Sequence, residues 1–246
     1  MHWSIADNLS AITEAIDVAH GHGATICIFP ELAITGFHRQ IVSLAKQALI
    51  APVVAQLQSI SARKSIAVAI GAPTFDADGR CFNSYLLINE AGERVSEVQK
   101  IGLTEAEATF FKHGTRRPVS LLQNIRCSAV ICREIEDHDQ ILDQLPAGSA
   151  DIVFWPGQMR PDPDLPPSDP PVHVVQAQRL AESLGAFVIQ ANWPNALNRP
   201  EESEQTGHSA VIAPTGELLF RLPMQASGVA VFKLGDRTYG WHPSHH

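Results

Sequence analysis

The chain has 246 residues, 45% hydrophobic and 18% charged, with 18 basic against 26 acidic side chains for a formal net charge of −8. That length permits one large domain or two small ones, and the composition is that of a globular protein with a substantial core. The acidic balance excludes the basic, aromatic-studded stripe of a nucleic-acid binder, and no apolar run approaches the roughly 18 residues a membrane span needs.

Leu9, Ile12, Ile16 and Ala19 recur at helical spacing, predicting an amphipathic helix over 7–22 with Asp7 as N-cap. Gly21 and Gly23 end it, and Ala24–Phe29 reads as a buried strand. Residues 39–64 are helical in pattern, with Pro52 opening a second segment or kinking the first. Strands follow at 65–71, 84–88 and 94–99, the last two joined by the hairpin turn Asn89-Glu90-Ala91-Gly92-Glu93. A mixed stretch, 101–114, leads to a strand ending at Cys132, then a short helix over 136–145 and a buried strand over 151–155. Seven prolines make 156–171 a loop, and Ser168-Asp169-Pro170 opens a helix running to Gly185. Strands at 186–190, 209–213 and 228–234 finish the chain, with a hairpin turn at Pro214-Thr215-Gly216-Glu217 and a loose tail bearing His242, His245 and His246. Helices and strands mix throughout without a linker or repeat, so one α/β domain is expected.

The start, Met1-His2-Trp3-Ser4, lacks the features of a signal peptide, and a cytoplasmic location is the expectation. The four cysteines, 27, 81, 127 and 132, form no CxxC or zinc-type pattern and are expected to be reduced thiols. Three reactive groups each close a short apolar run: Glu31 after Ile26-Cys27-Ile28-Phe29-Pro30, Lys100 after Val98-Gln99, and Cys132 after Ala129-Val130-Ile131. Strand ends on one rim of a sheet converge in space however far apart they are in sequence. A thiol beside a base and a cation is equipped to attack an acyl carbon.

Taken with their local motifs, these residues resemble the nitrilase superfamily of carbon–nitrogen hydrolases. The landmarks are Phe29-Pro30-Glu31-Leu32-Ala33, Lys100-Ile101-Gly102-Leu103 and Ile131-Cys132. Supporting matches are Phe111-Lys112-His113-Gly114, Ala150 through Pro156, Gln190-Ala191-Asn192-Trp193, and Gly207-His208-Ser209. The resemblance implies a four-layer α-β-β-α sandwich, dimerised through helices, that cleaves amides, carbamoyl compounds or nitriles through a cysteine thioester without metal or organic cofactor. It implies Cys132 as nucleophile, Glu31 as general acid–base, Lys100 at the oxyanion with the backbone N–H of Arg133, and an acidic residue beside the triad. For that last role Glu107 is preferred over Glu105. Trp155, Arg160, Asn192 and Trp193 are candidates for substrate contact, and the loops 102–114, 133–140, 156–171 and 193–206 for the pocket mouth.

Three departures stand out. Relatives usually carry a full first strand ahead of the point where Met1 stands, and its loss is expected to leave an open sheet edge or an exposed core face. Gly102 replaces a common histidine. Arg133-Glu134-Ile135-Glu136 replaces the more usual aromatic–acidic run after the nucleophile. Rival readings are a nitrilase proper, an acyltransferase, and a non-catalytic binding or assembly subunit of the same fold. An isochorismatase-like hydrolase is a weaker alternative, since there the order is Asp, Lys, Cys.

Overall fold

The computed structural model describes residues 1–160, 168–224 and 226–244. Helix α1 (Ile5–Gly21) is capped by Ser4 rather than Asp7, because the Ser4 hydroxyl accepts the Asp7 N–H at 3.1 Å. The chain then forms β1 (Ile26–Ile28), α2 (Ile41–Leu44) and α3 (Gln47–Lys64). The helical break falls at residues 45–46, and Pro52 lies inside α3 instead of dividing it. Next come β2 (Ala67–Phe75), β3 (Cys81–Ile88) and β4 (Arg94–Gln99). Strand β2 outruns its expected end at Gly71 and accommodates Pro73 because β1 flanks only Ala67–Ala69.

After the short α4 (Glu105–Ala108) the chain makes β5 (Ser120–Leu122) and β6 (Ile125–Ala129). Their tight turn uses Gln123 and Asn124, both at positive φ, which is why no glycine announced it. Strand β6 stops at Ala129, short of Cys132, which instead opens a 3-10 turn running to Glu136. Then follow α5 (His138–Gln144), β7 (Ile152–Gly157), α6 (Val172–Leu184) and β8 (Phe187–Asn192). Helix α6 begins after Pro171, later than Ser168-Asp169-Pro170 suggested. Strands β9 (Ala210–Ile212), β10 (Leu218–Arg221), β11 (Gly228–Val231) and β12 (Gly240–Pro243) close the chain. His242, expected in a loose tail, lies in β12 and stacks on His22 with ring centroids 3.7 Å apart; His245 and His246 lie outside the described residues.

The strands form one sheet in the order β1-β2-β3-β4 and another in the order β10-β9-β8-β7-β6-β5, with β11-β12 a separate pair. Alternation along each strand sorts the core into layers. Val68, Ile70, Leu86 and Ile88 face α1 and α3, whereas Ala67, Ala69, Tyr85 and Leu87 face the second sheet. Cys127, Ala129, Ile152 and Phe154 answer from that sheet, and its other face packs Val153, Trp155 and Val188 against α5 and α6. The result is the α-β-β-α sandwich. Among the described residues β1 is paired on one side only. Beside it lies an apolar cavity of about 560 Å³ bounded by α1, β1 and β11.

Candidate active site

Glu31 is carried by a tight turn after β1 that folds against β2. Gly36 N–H reaches Leu32 O at 2.8 Å, Ile34 N–H reaches Gly71 O at 3.2 Å, and Gly71 N–H reaches Pro30 O at 3.3 Å. Leu32 takes a left-handed φ of 51°. A Cβ at Gly71 would stand 2.1 Å from Leu32 N, so the turn can seat here only against glycine. Trp193 donates its indole N–H to Glu31 O at 2.8 Å, which ties the turn to the opposite sheet.

Lys100 leaves the end of β4 with its N–H on Asn83 O at 2.8 Å, and its ammonium lies between two carboxylates. Nζ is 2.8 Å from Glu31 Oε1 and 2.6 Å from Glu107 Oε1. Glu31 and Lys100 are 0% and 1% exposed, so these charges interact in a medium far less screening than water. Asn83 Nδ2 adds bonds to Glu31 Oε1 at 2.7 Å and Glu107 Oε1 at 3.3 Å. The other Glu107 oxygen accepts from Thr104 N–H and Oγ1 in a capping box at the start of α4, whereas Glu105 is exposed. Glu31 Oε2 is buried without a hydrogen-bond partner among the described residues.

Cys132 stands at the start of the 3-10 turn with φ of 55°, a strained setting for a residue with a Cβ. Gly157 makes room: a Cβ there would be 3.1 Å from Cys132 Cα and 3.4 Å from Sγ. Trp155 donates its indole N–H to Cys132 O at 2.9 Å, and Sγ lies 3.6 Å from Met159 Sδ. The charges of Glu31, Lys100 and Glu107 all act on the thiol.

Burial raises the Cys132 thiol pKa and Glu31 raises it further, against the pull of Lys100 and the Gln158 N–H. Burial also raises Glu31; Lys100 opposes the rise and Glu107 adds to it. Burial opposes the Lys100 charge, but Glu31, Cys132 and Glu107 together outweigh it and hold the ammonium above its ordinary value. The site therefore raises the proton affinity of both the Cys132 thiol and Glu31.

Asn83 and Met159 went unrecognised from sequence alone, and the direction of Glu134 was left open there. Glu134 is fully buried; its carboxylate accepts from Ile101 N–H at 2.6 Å, Gly102 N–H at 2.8 Å, Ile131 N–H at 2.7 Å and Arg117 Nη1 at 2.9 Å. Burial opposes its charge, but Arg117 and the backbone donors hold its pKa below the ordinary value. Arg133 pairs with Asp137 at 2.9 Å. A Cβ at Gly102 would meet Asp137 Oδ2 at 2.4 Å and Arg133 Nη1 at 3.1 Å, so two of the three departures interlock.

Three of the other candidates, Asn192, Trp155 and Trp193, bond the backbone. Asn192 accepts from Met159 N–H at 2.6 Å and donates to Met159 O and Gly207 O, both at 2.7 Å, so its amide builds the site wall. Trp155 and Trp193 spend their N–H groups on carbonyls of Cys132 and Glu31. Arg160 is half-buried and immediately precedes residues 161–167, which lie outside the described residues.

Among solved structures, an amidase from Nesterenkonia sp. superposes with a TM-score of 0.77 at 22% identity, covering 90% of this chain and 82% of its own. The glutamine-dependent NAD+ synthetase from Acinetobacter baumannii superposes at 0.76 with 20% identity, covering 90% of this chain and 41% of its own. A family model for carbon–nitrogen hydrolases matches residues 1–242. The chain belongs to the carbon–nitrogen hydrolase family.

Proposed function

We propose that the protein is a thiol amidohydrolase that opens a non-peptide C–N bond of a small amide or carbamoyl compound through a Cys132 thioester. The observation that carries this reading is the buried Glu31–Lys100–Glu107 chain acting on the Cys132 thiol. Glu31 takes the thiol proton as sulfur attacks the carbonyl carbon, then returns it to the leaving nitrogen, so an amine departs instead of an amide anion. Lys100 and the Arg133 N–H receive the charge that develops on the carbonyl oxygen. Water, deprotonated by Glu31, attacks the thioester; the carboxylic acid leaves and the thiol regains its proton. Glu107 and Asn83 hold Lys100 and Glu31 in register.

A Nesterenkonia amidase variant superposing on this chain carries acrylamide added to its active-site cysteine, which favours an amide-sized ligand at the corresponding place here. Ammonia release from small aliphatic amides, carbamoyl compounds and nitriles, in wild type and Cys132→Ser, tests the proposal. We expect amide or carbamoyl turnover that falls roughly 10³-fold or more in the variant. Turnover of nitriles alone, or acyl transfer to an added amine without hydrolysis, would replace this reading with one of its rivals. We further propose a homodimer docking through helices, for which α6 offers exposed Val172 and Val175; sedimentation velocity checks it.

A further inference from the structure

We infer that Trp155 is a positioning residue for the oxyanion site, an inference that rests on Cys132 being the nucleophile. The Trp155 indole N–H donates to Cys132 O at 2.9 Å. That carbonyl and the Arg133 N–H belong to one planar trans peptide, in which C=O and N–H point in opposite directions. Fixing the oxygen on the indole therefore aims the Arg133 N–H away from Trp155.

The peptide needs such a hold. Cys132 is in the left-handed region at φ 55°, where a residue bearing a Cβ has little intrinsic preference to stay. The indole is itself immobile: Trp155 is 0% exposed in the core between β7 and α6, and its ring meets His173 edge-on at 5.7 Å. Two residues further along the same strand, Gly157 passes against Cys132 Cα. Strand β7 thus supplies both the space and the tether for the nucleophile's peptide.

Two small probes separate this role from general support. Iodoacetamide alkylates the thiol by displacing iodide and builds no tetrahedral oxyanion. Propionaldehyde adds the thiol to its carbonyl carbon, the thiol proton passing to Glu31, and forms a hemithioacetal oxyanion that needs the N–H donors. Aldehyde affinity is read as protection of Cys132 against alkylation, mapped by mass spectrometry. In Trp155→Phe, we expect alkylation within about twofold of wild type and protection weakened on the order of 10²-fold, the usual loss for one oxyanion donor.

Equal losses in both probes, or no loss in either, would overturn the inference. If Trp155→Phe does not fold, replacement by 3-benzothienylalanine keeps the ring shape and removes only the N–H, with the same expectations. A wild-type Cys132 that neither alkylates nor is protected would defeat the nucleophile reading itself, and the positioning role with it.

Discussion

Lys100 lies between the buried Glu31 and Glu107 side chains, and the two carboxyl groups are close enough for one to weigh on the other's titration. Glu107 is one of the influences raising Glu31, so Glu107→Gln lowers the Glu31 pKa. The base is then ionised further into acid, and the acidic limb of kcat/KM moves to lower pH. At the optimum kcat falls on the order of 10²-fold, because Lys100 loses its second anchor. A limb displaced to higher pH would contradict this assignment, and a pH profile of the purified variant decides it. Glu31, Lys100 and Cys132 were expected from sequence because each stands in a recognisable local motif, whereas Glu107 was only preferred over Glu105 by its place ahead of Gly114. Asn83 was not expected: its contacts to Glu31 and Glu107 span 52 and 24 residues, and nothing beside it marks an amide as functional.

The segments just beyond three strand ends carry the reactive groups, and Glu134 fastens two of these segments together. Its carboxylate bonds the N–H groups after Lys100 and the N–H before Cys132, with Arg117 as counter-ion. Glu134→Gln leaves Arg117 buried without its partner and should cost about 3–5 kcal/mol in urea unfolding at neutral pH. The carboxyl is held below its ordinary value of about 4.3, so its contribution is present above that pH. It is lost as pH falls through the lower folded value, and the wild-type advantage should shrink there. An advantage that persisted undiminished in acid would contradict the ion-pair account. Most strands were legible as apolar runs, whereas β5, β10 and β12 were missed. They are three or four residues long, and each has exposed or half-buried positions that break the buried pattern. The β6 end was misjudged because Val130 and Ile131 continue the apolar run while the backbone turns toward Cys132.

Two sheets closing over a shared core carry Glu31 and Lys100 on one rim and Cys132 on the other; the strand pattern alone gave an α/β domain, and the layered sandwich was expected from the family resemblance. The apolar cavity beside β1 was readable only as an open edge or exposed core face; its volume depends on how α1 and β11 settle around it. Ala15 on α1 lines it, so Ala15→Leu should fill space and raise Tm by roughly 2–4 °C. An unchanged or lower Tm by calorimetry would mean that the space is closed in solution. The central claim, convergence of the two rims on one thiol, is tested most directly by mapping iodoacetamide labelling against pH in wild type and Glu31→Gln. We predict that half-buried Cys132 labels ahead of the buried Cys27, Cys81 and Cys127. In Glu31→Gln the labelling midpoint should move to lower pH, because a repelling carboxylate is gone while Lys100 remains, and amide turnover should be lost. Four cysteines labelling alike, or a Cys132 midpoint indifferent to Glu31, would contradict the account.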